Sequence, residues 1–216
     1  MQLYTFWRSQ AAFRVRIALA LKGLKAEMVN VDLVKGAQTA QPYQKLNPSK
    51  MLPTLIDGDG PPLVQSLAII EYLDEVYPDP PLLPKTPRDR AHVRALAQTV
   101  VIDAHPFVVP RVRSYLQNEL HIDEVNRMRW LQHWLNTATQ LVETMLSSDT
   151  RTGRFCYGDV PSLADVCLIP HMTSAQMLYD CKFDAQPTVQ RIFSECMKVP
   201  AFIAAHPRSQ ADADHS

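Results

Sequence analysis

Five prolines fall within residues 78–87, "PDPPLLPKTP". Proline lacks a backbone N–H and fixes φ, so such a run forms neither the interior of a helix nor a central strand. We therefore interpret residues 79–87 as a linker. It divides the chain into a part at 1–78 and a part at 88–216. With 216 residues and 46% hydrophobic content, the chain can form one or two compact domains.

The part before the linker alternates between strand-like and helix-like patterns. After a first apolar run, Phe13, Ile17 and Leu21 recur at helical spacing, and a second strand then completes a β-α-β start with a parallel pair. The turn signal "DGDG" at 57–60 predicts a hairpin, and Ser66 occupies the place of an N-cap before a further helix. The order βαβββα predicts an α/β domain. The predicted strands are 3–6, 28–33, 54–56 and 63–64.

The part after the linker is helical almost throughout, which predicts an all-α domain. "SLAD" at 162–165 resembles a capping box, with Asp165 in place of the usual glutamate. Pro110 is expected to kink the first of these helices. The polar end of the chain, "SQADADHS" at 209–216, predicts disorder. The candidate helices are 88–117, 123–147, 162–180 and 187–197.

Charge and composition argue against several classes of protein. Lys+Arg and Asp+Glu both number 22, and a net charge of zero argues against a nucleic-acid binder. No apolar stretch reaches the ~18 residues of a membrane span, and the N-terminus lacks a secretory-signal pattern. The four cysteines form no CxxC pair, and the histidines show no HxxxH or HExxH spacing. We therefore predict reduced, buried thiols, a cytoplasmic location and no metal site.

Three short motifs in the first part offer chemistry, each beside a purely structural alternative. The hydroxyl of Ser9 either only caps a helix or also donates to an anion such as a thiolate. A cis bond at Leu52–Pro53 would turn the Leu52 backbone toward a peptide-like ligand, whereas a trans bond would simply open an edge strand. At Gln65 and Ser66, the free N–H groups of a helix start either bind a carboxylate or are only capped.

Two further side chains have equally open interpretations. The guanidinium of Arg8 matches a carboxylate, but it would serve as well in a surface ion pair. His105 is either a polar group of a site or a packed core histidine beside Pro106. Asp103 and Arg111 are the other polar candidates in this second stretch, "DAHPFVVPRVRSYL" at 103–116.

Four segments carry a resemblance to a known family: "FWRSQAAFRVRIALALKG", "LNPSKMLPTL", "QSLAIIEYLDE" and "GDVPSLADVCLIP". Together they resemble the cytosolic glutathione transferases, and within them the zeta class of maleylacetoacetate and maleylpyruvate isomerases. The resemblance runs from about residue 1 to 208. It implies a thioredoxin-like domain at 1–78, a helical substrate-side domain at 88–216, a homodimer, glutathione as cofactor and a small-molecule substrate.

The resemblance implies roles for individual residues. Ser9 would be the partner of the glutathione sulfur, and Gln65 with Ser66 would hold the γ-glutamyl end. The Leu52–Pro53 bond would be cis and would present the Leu52 backbone. Arg8 would lie beside the carboxylates of the substrate and Ser9 would activate the thiol. The remaining candidates for the cofactor site are Gln10, Gln38, His105 and Arg111.

The chain also departs from the zeta-class pattern. The usual Ser-Ser-Cys is replaced by Ser9-Gln10-Ala11. A second substrate arginine is missing, and Gln176 and Met177 occupy its place. Amide side chains usual after the His-Pro pair are replaced by Val108, Val109 and Pro110, which makes the predicted pocket wall more apolar.

The resemblance implies a glutathione-dependent cis–trans isomerase of a maleyl-type dicarboxylate, either maleylacetoacetate or maleylpyruvate, in tyrosine or aromatic-acid breakdown. The implied mechanism is thiolate addition, bond rotation and elimination. The departures leave open a second function, that of a glutathione transferase acting on a more apolar electrophile. A third alternative is a non-catalytic glutathione-binding module.

Overall fold

A computed structural model describes residues 1–213. These residues form two compact units: Met1–Pro81 together with the segment from Lys198 onward, and Leu82–Met197. Short 3₁₀ helices lie at Ala37–Thr39 and Pro207–Ser209. The other elements, in chain order, are β1 (Gln2–Thr5), α1 (Gln10–Leu21), β2 (Glu27–Asn30), α2 (Gln41–Leu46), β3 (Thr54–Ile56), β4 (Leu63–Val64), α3 (Ser66–Val76), α4 (Pro87–Ile102), α5 (His105–Val108), α6 (Pro110–Asn118), α7 (Glu124–Ser147), α8 (Leu163–Tyr179), α9 (Pro187–Cys196) and α10 (Pro200–Ala205).

The first unit contains a four-stranded mixed sheet in the order β2-β1-β3-β4. β1 runs parallel to β2, with Leu3 opposite Met28, and antiparallel to β3, with Leu3 opposite Leu55. β3 and β4 pair antiparallel across the "DGDG" turn, in which Gly58 adopts a φ of +58° that glycine tolerates. The predicted β-α-β start and hairpin are confirmed. The short helix α2 between β2 and β3 was not predicted.

The helix α1 forms the centre of the first unit. Every residue from Gln10 to Leu19 is buried, because α1 packs against both α3 and α10. A helix enclosed on all sides needs no single apolar stripe. Two arginines, Arg14 and Arg16, are therefore buried within it, and their guanidinium groups make hydrogen bonds inside the unit.

The end of α1 is fixed by a buried lysine. The Nζ of Lys22 donates to Asp74 Oδ1 at 2.8 Å, to the Tyr77 carbonyl at 2.7 Å and to the Pro80 carbonyl at 2.9 Å. The side chain of Lys22 is fully buried. This one ammonium group ties α1 to the end of α3 and to the proline-rich segment. Residues 77–86 form no helix or strand, as their prolines predict.

The start of the second unit corrects one prediction, since the continuous helix expected at 88–117 is three helices, α4, α5 and α6. Proline disfavours the α conformation in the residue before it, and Val109 accordingly has φ −68° and ψ 154°. Pro110 then begins α6, where a missing N–H costs nothing. Pro110 thus separates two helices instead of kinking one.

The later helices of the second unit, α7, α8 and α9, agree with the predicted ranges to within one residue at each end. The predicted capping box at the start of α8 is confirmed. The Asp165 carboxylate accepts hydrogen bonds from the N–H of Ser162 at 2.8 Å, from the Ser162 hydroxyl at 2.9 Å and from the N–H of Cys156 at 2.9 Å. Complete burial raises the pKa of Asp165 above its usual range despite these donors.

The C-terminal segment packs with the first unit, since α10 contacts α1. The sequence predicted instead that all of 88–216 belongs to the helical domain. The division into a glutathione-binding domain at 1–78, a linker at 79–87 and a substrate-side domain at 88–216 remains a prediction. The disorder predicted for 209–216 is wrong for 209–213, because Asp212 accepts a hydrogen bond from the N–H of Trp7. The last three residues of that prediction lie outside the described residues.

Within residues 1–213, no helix is both long and apolar enough to cross a membrane.

Candidate active site

The ends of three neighbouring strands define one edge of the sheet in the first unit. Tyr4 pairs with Thr54, and Thr54 pairs with Val64, so the end of β1, the start of β3 and the end of β4 lie side by side. Each strand continues there into a predicted site segment. These segments are Arg8–Ser9–Gln10 after β1, Leu52–Pro53 before β3 and Gln65–Ser66 after β4.

Ser9 is the N-cap of α1. Its backbone is extended, with φ −71° and ψ 109°, and its Oγ accepts the N–H of Ala12 at 3.2 Å. The side chain is partly exposed. Because a hydroxyl has one donor hydrogen as well as acceptor lone pairs, capping leaves the O–H of Ser9 able to donate. The two interpretations of Ser9 are therefore compatible.

The peptide bond between Leu52 and Pro53 is cis, which confirms the expectation drawn from the resemblance. Leu52 precedes the paired residues of β3 and is buried in a small cluster with Phe6, Val31 and Tyr43. The Tyr43 hydroxyl donates to the Met51 carbonyl at 2.6 Å, which holds the neighbouring backbone in place. The backbone of Leu52 thus lies at the sheet edge beside the other site segments.

The start of α3 corrects a detail of the prediction. The N-cap is Gln65, and Ser66 is the first helical residue. Gln65 has φ +70°, a left-handed conformation that is uncommon for a residue with a side chain and concentrates at functional sites. Among residues 1–213, no side chain caps this helix start. Ser66 is buried, and its Oγ accepts a hydrogen bond from Arg14 Nη1 at 3.2 Å.

Arg8 is the exposed cation of the site. Its guanidinium carbon lies 5.1 Å from the centre of the Trp7 ring and 5.7 Å from that of Phe6. At these distances the guanidinium is attracted to the faces of both rings. Arg8 is therefore an exposed cation beside Ser9 and remains a candidate to bind a carboxylate.

Two glutamines of the first unit carry buried polar atoms that have no hydrogen-bond partner among the described residues. They are Nε2 of Gln10, at the start of α1, and Oε1 of Gln38, in the 3₁₀ helix at 37–39. Gln10 is only 6% exposed. Buried amide groups are rarely left unpaired, so both remain candidates for the cofactor site.

Hydrogen bonds that the sequence did not predict hold the residues that precede Ser9. Arg16 Nη1 donates to Thr5 Oγ1 at 2.9 Å and to the Phe6 carbonyl at 3.3 Å, and Arg16 Nη2 donates to the Trp7 carbonyl at 3.2 Å. The N–H of Trp7 donates to Asp212 at 3.1 Å. The sequence signal for these contacts was the charge of Arg16 on an otherwise largely apolar helix, since a buried charge needs hydrogen-bond partners.

The second unit carries the other two predicted site residues, His105 at the start of α5 and Arg111, exposed, in α6. α5 is anchored through Phe107, whose ring stacks on Trp134 with centroids 4.3 Å apart and whose carbonyl accepts Trp130 Nε1 at 3.0 Å. The structure brings Ser9, the Leu52–Pro53 bond and Gln65–Ser66 to one sheet edge of the first unit. His105 and Arg111 belong to the second unit.

Two of the three departures from the zeta-class pattern lie in the second unit. Val108 and Val109 are buried at 5% and 4% exposure. Near the end of α8, Gln176 is exposed and Met177 is partly buried. Lys182 donates to Asp180 at 2.5 Å and is 71% exposed. The positive charge of Lys182 is therefore paired with the carboxylate of Asp180.

The protein's own thiols do not supply a nucleophile. All four cysteines are free and buried, as predicted. Burial raises the pKa of Cys156 and Cys196 and takes that of Cys181 to about 11, so these groups stay protonated at neutral pH. Within residues 1–213, no group of three or more His, Cys, Asp and Glu side chains is placed to hold a metal ion.

The fold and the sheet edge define a class of protein. A thioredoxin-like first unit with a helical second unit is the fold of the cytosolic glutathione transferases, and the family model for the glutathione S-transferase N-terminal domain matches residues 1–75. The holo structure of a maleylpyruvate isomerase, described as a bacterial zeta-class glutathione S-transferase, is similar with a TM-score of 0.96. It is 37% identical and covers 99% of this chain and 100% of that one.

Two further comparisons are as extensive. A maleylacetoacetate isomerase from Methylobacterium extorquens AM1, solved with bound malonate and glutathione, has a TM-score of 0.96 and 44% identity over 99% of this chain and 100% of that one. The probable maleylacetoacetate isomerase of Vibrio cholerae is 42% identical over 213 residues, 98% of this chain and 97% of that protein. The chain belongs to the zeta-class glutathione transferase family, which confirms the resemblance and the predicted fold.

Proposed function

We propose that this protein is a glutathione-dependent cis–trans isomerase of a maleyl-type dicarboxylate, maleylacetoacetate or maleylpyruvate. One observation carries the proposal. In a chain of the zeta class, Ser9, the cis Leu52–Pro53 peptide and the Gln65–Ser66 helix start meet at one edge of the sheet.

The residues at this edge fit the chemistry of glutathione. The start of α3 has no capping side chain, so its free N–H groups suit the carboxylate of the γ-glutamyl end, beside Gln65 and Ser66. The backbone of Leu52 lies outside the paired register of β3 and is available to the peptide part of the cofactor. The unpartnered amide atoms of Gln10 and Gln38 add two further polar groups.

When bound, glutathione supplies a thiolate that adds to the conjugated double bond, turns it into a single bond that can rotate, and is eliminated again. Ser9 donates its O–H to the sulfur and so stabilises the thiolate, whose free thiol has a pKa of ~8.5. The N-terminus of α1, which Ser9 caps, favours the same negative charge.

Arg8 holds a carboxylate of the substrate. Its exposed guanidinium, beside the Trp7 ring, is a planar fork of donors that matches a carboxylate with two hydrogen bonds. The Methylobacterium relative was solved with malonate, which is itself a dicarboxylate, together with glutathione. We further propose that His105 and Arg111 contribute to the site from the helical unit.

The remaining parts of the proposal follow from the family. We propose that the protein acts as a homodimer in the cytoplasm, within the breakdown of tyrosine or related aromatic acids. Size-exclusion chromatography with light scattering tests the dimer directly, since a monomer at the concentrations of the assay would contradict it.

A second function is favoured by a departure that the resemblance implies, since Gln176 and Met177 stand where a second substrate arginine is expected. Losing one of two carboxylate contacts weakens the positioning of a dicarboxylate and favours a more apolar electrophile. In that case the same thiolate chemistry would serve conjugation by a glutathione transferase.

A spectrophotometric assay separates these functions. Maleylacetoacetate, maleylpyruvate and a chloronitroaromatic electrophile are each supplied with and without glutathione. We expect isomerisation that requires glutathione and is regained when glutathione is restored. A protein that binds glutathione and conjugates the electrophile without isomerising either dicarboxylate would contradict the isomerase, and one that binds glutathione without any turnover would be a binding module.

A further inference from the structure

The segment that carries Arg8 and Ser9 is held from two sides within the first unit. Between Thr5 and Ser9 the backbone forms neither helix nor strand over three residues, yet each of its carbonyls at Phe6 and Trp7 accepts a hydrogen bond. The N–H of Ser9 also donates to the Phe6 carbonyl at 2.9 Å. The position of the Ser9 hydroxyl therefore depends on what fixes Phe6 and Trp7.

One side of this support is the guanidinium of Arg16. It is 3% exposed, and burial lowers its pKa to about 10, which leaves it charged at neutral pH. Besides Phe6 and Trp7, it donates to the Ala205 carbonyl through Nε at 3.1 Å. The same side chain thus connects the end of β1 to the last residue of α10.

The other side is the C-terminal segment around Asp212. The Asp212 carboxylate accepts the N–H of Trp7 at 3.1 Å, and its negative charge raises the pKa of Arg16 against the effect of burial. The segment itself is anchored, because Gln210 Nε2 donates to the carbonyls of Ala204 and His206, both at 2.9 Å. The carboxylate therefore reaches Trp7 from a fixed backbone.

We infer that the C-terminal segment is a positioning element of the active site, in which Asp212, together with Arg16, fixes Trp7 and thereby the hydroxyl of Ser9. This inference rests on the proposed function. In this inference Asp212 acts through Trp7 and Ser9, and its role is to position the Ser9 hydroxyl. It extends the active site to a residue some 200 positions further along the chain, beyond the four segments that carry the family resemblance.

The physical reason is the geometry that a hydrogen bond to sulfur needs. A donor displaced by ~1 Å costs about a hundredfold in rate, and a partly loosened segment costs less. Removal of the Asp212 carboxylate leaves the N–H of Trp7 without that acceptor and lets Trp7, Arg8 and Ser9 move together. Thiol activation should fall while the glutathione contacts at Leu52 and Gln65 persist.

The test compares Asp212→Ala with Asp212→Glu and Asp214→Ala in the full-length protein. Asp214→Ala removes an equal charge two residues further along and is the matched control. We expect Asp212→Ala to raise the pKa of the bound glutathione thiol, to lower kcat about tenfold, to change KM for glutathione less than threefold, and to speed hydrogen exchange at residues 6–9. Asp212→Glu should restore part of each effect, and Asp214→Ala should match wild type.

Two results overturn the inference. If Asp212→Ala matches Asp214→Ala in thiol pKa and kcat, the segment does not position Ser9, while the proposed function stands. If wild-type protein itself leaves the thiol pKa of bound glutathione unchanged, the proposed function falls and the positioning role falls with it. Thermal unfolding of each variant identifies a general loss of stability, which would lower kcat without a shift in the thiol pKa.

Discussion

Ser9 has two separable tasks, and a pair of substitutions distinguishes them. Its Oγ accepts the N–H of Ala12 at 3.2 Å as a helix cap, and its O–H is proposed to donate to the glutathione sulfur. Ser9→Ala removes both. Ser9→Gly also removes the hydroxyl, but glycine is a tolerable N-cap residue. The two variants should therefore differ in stability and agree in chemistry.

The expected magnitudes follow from these contacts. Loss of the cap in Ser9→Ala should lower the free energy of unfolding by about 1 kcal/mol, against a few tenths in Ser9→Gly. A hydrogen bond to a charged group contributes about 1.5–3 kcal/mol. At about 1.4 kcal/mol per pKa unit, its loss should raise the pKa of the bound thiol by about one to two units in both variants.

Two measurements check this. Ultraviolet titration of the enzyme–glutathione complex gives the pKa of the bound thiol, and urea unfolding gives the stability. Ser9→Thr, which keeps both the cap and the hydroxyl, is the matched control and should stay near wild type in both. If Ser9→Ala and Ser9→Gly both keep the wild-type thiol pKa, Ser9 only caps the helix and the proposed activation is refuted.

Three further predictions concern other residues. Arg8→Lys keeps the charge but loses the planar fork, so steady-state kinetics should show a KM for the dicarboxylate raised about tenfold with KM for glutathione unchanged; equal changes in both would contradict this. Lys22→Met removes the buried ammonium that Asp74 and two carbonyls share, and should lower the free energy of unfolding in urea by about 3–5 kcal/mol. A loss below 1 kcal/mol would refute that role. Burial is the main cause of the lowered pKa of His206, and two neighbouring arginines lower it further. Folding therefore favours the neutral imidazole, and the protein loses stability as pH falls below the ordinary value of 6.5. His206→Gln should therefore reduce the fall in Tm below that pH, and an identical pH profile would contradict the assignment.

Much of the fold could be predicted because its signals are local. The "DGDG" turn specifies the hairpin between β3 and β4, the proline run excludes regular structure at 77–86, and the Ser162–Asp165 pair starts α8. The prediction of one continuous helix at 88–117 is wrong because Pro106 and Pro110 lie within it, in the first turns of α5 and α6, although its apolar residues recur at helical spacing. The α conformation of Val109 is disfavoured by its neighbour Pro110, and no helical pattern compensates for that.

The site was predictable to the extent that its residues lie in short motifs. Ser9, Leu52–Pro53 and Gln65–Ser66 each belong to a segment whose resemblance is visible in the sequence. The contact between Trp7 and Asp212 joins residues 205 positions apart, and Asp212 stands in a polar segment with no periodicity. Nothing local distinguishes an anchored carboxylate from a solvated one, so only the packing of α10 on α1 reveals it.

The proposed reaction has two tasks, activation of the thiol and recognition of the electrophile. We propose that thiol activation depends on the first unit, where the Ser9 hydroxyl, the cis Leu52–Pro53 peptide and the helix start at Gln65–Ser66 are present. We propose that the helical unit contributes to recognition of the electrophile, and there Gln176 and Met177 occupy the place in which the resemblance implies an arginine. Because thiolate addition needs only a conjugated or otherwise electrophilic carbon, the first unit can keep its chemistry while the second changes the substrate. The pKa of the glutathione thiol in the complex tests thiol activation, and turnover of both maleyl substrates tests recognition of the electrophile. Measured together, they therefore test the two tasks independently.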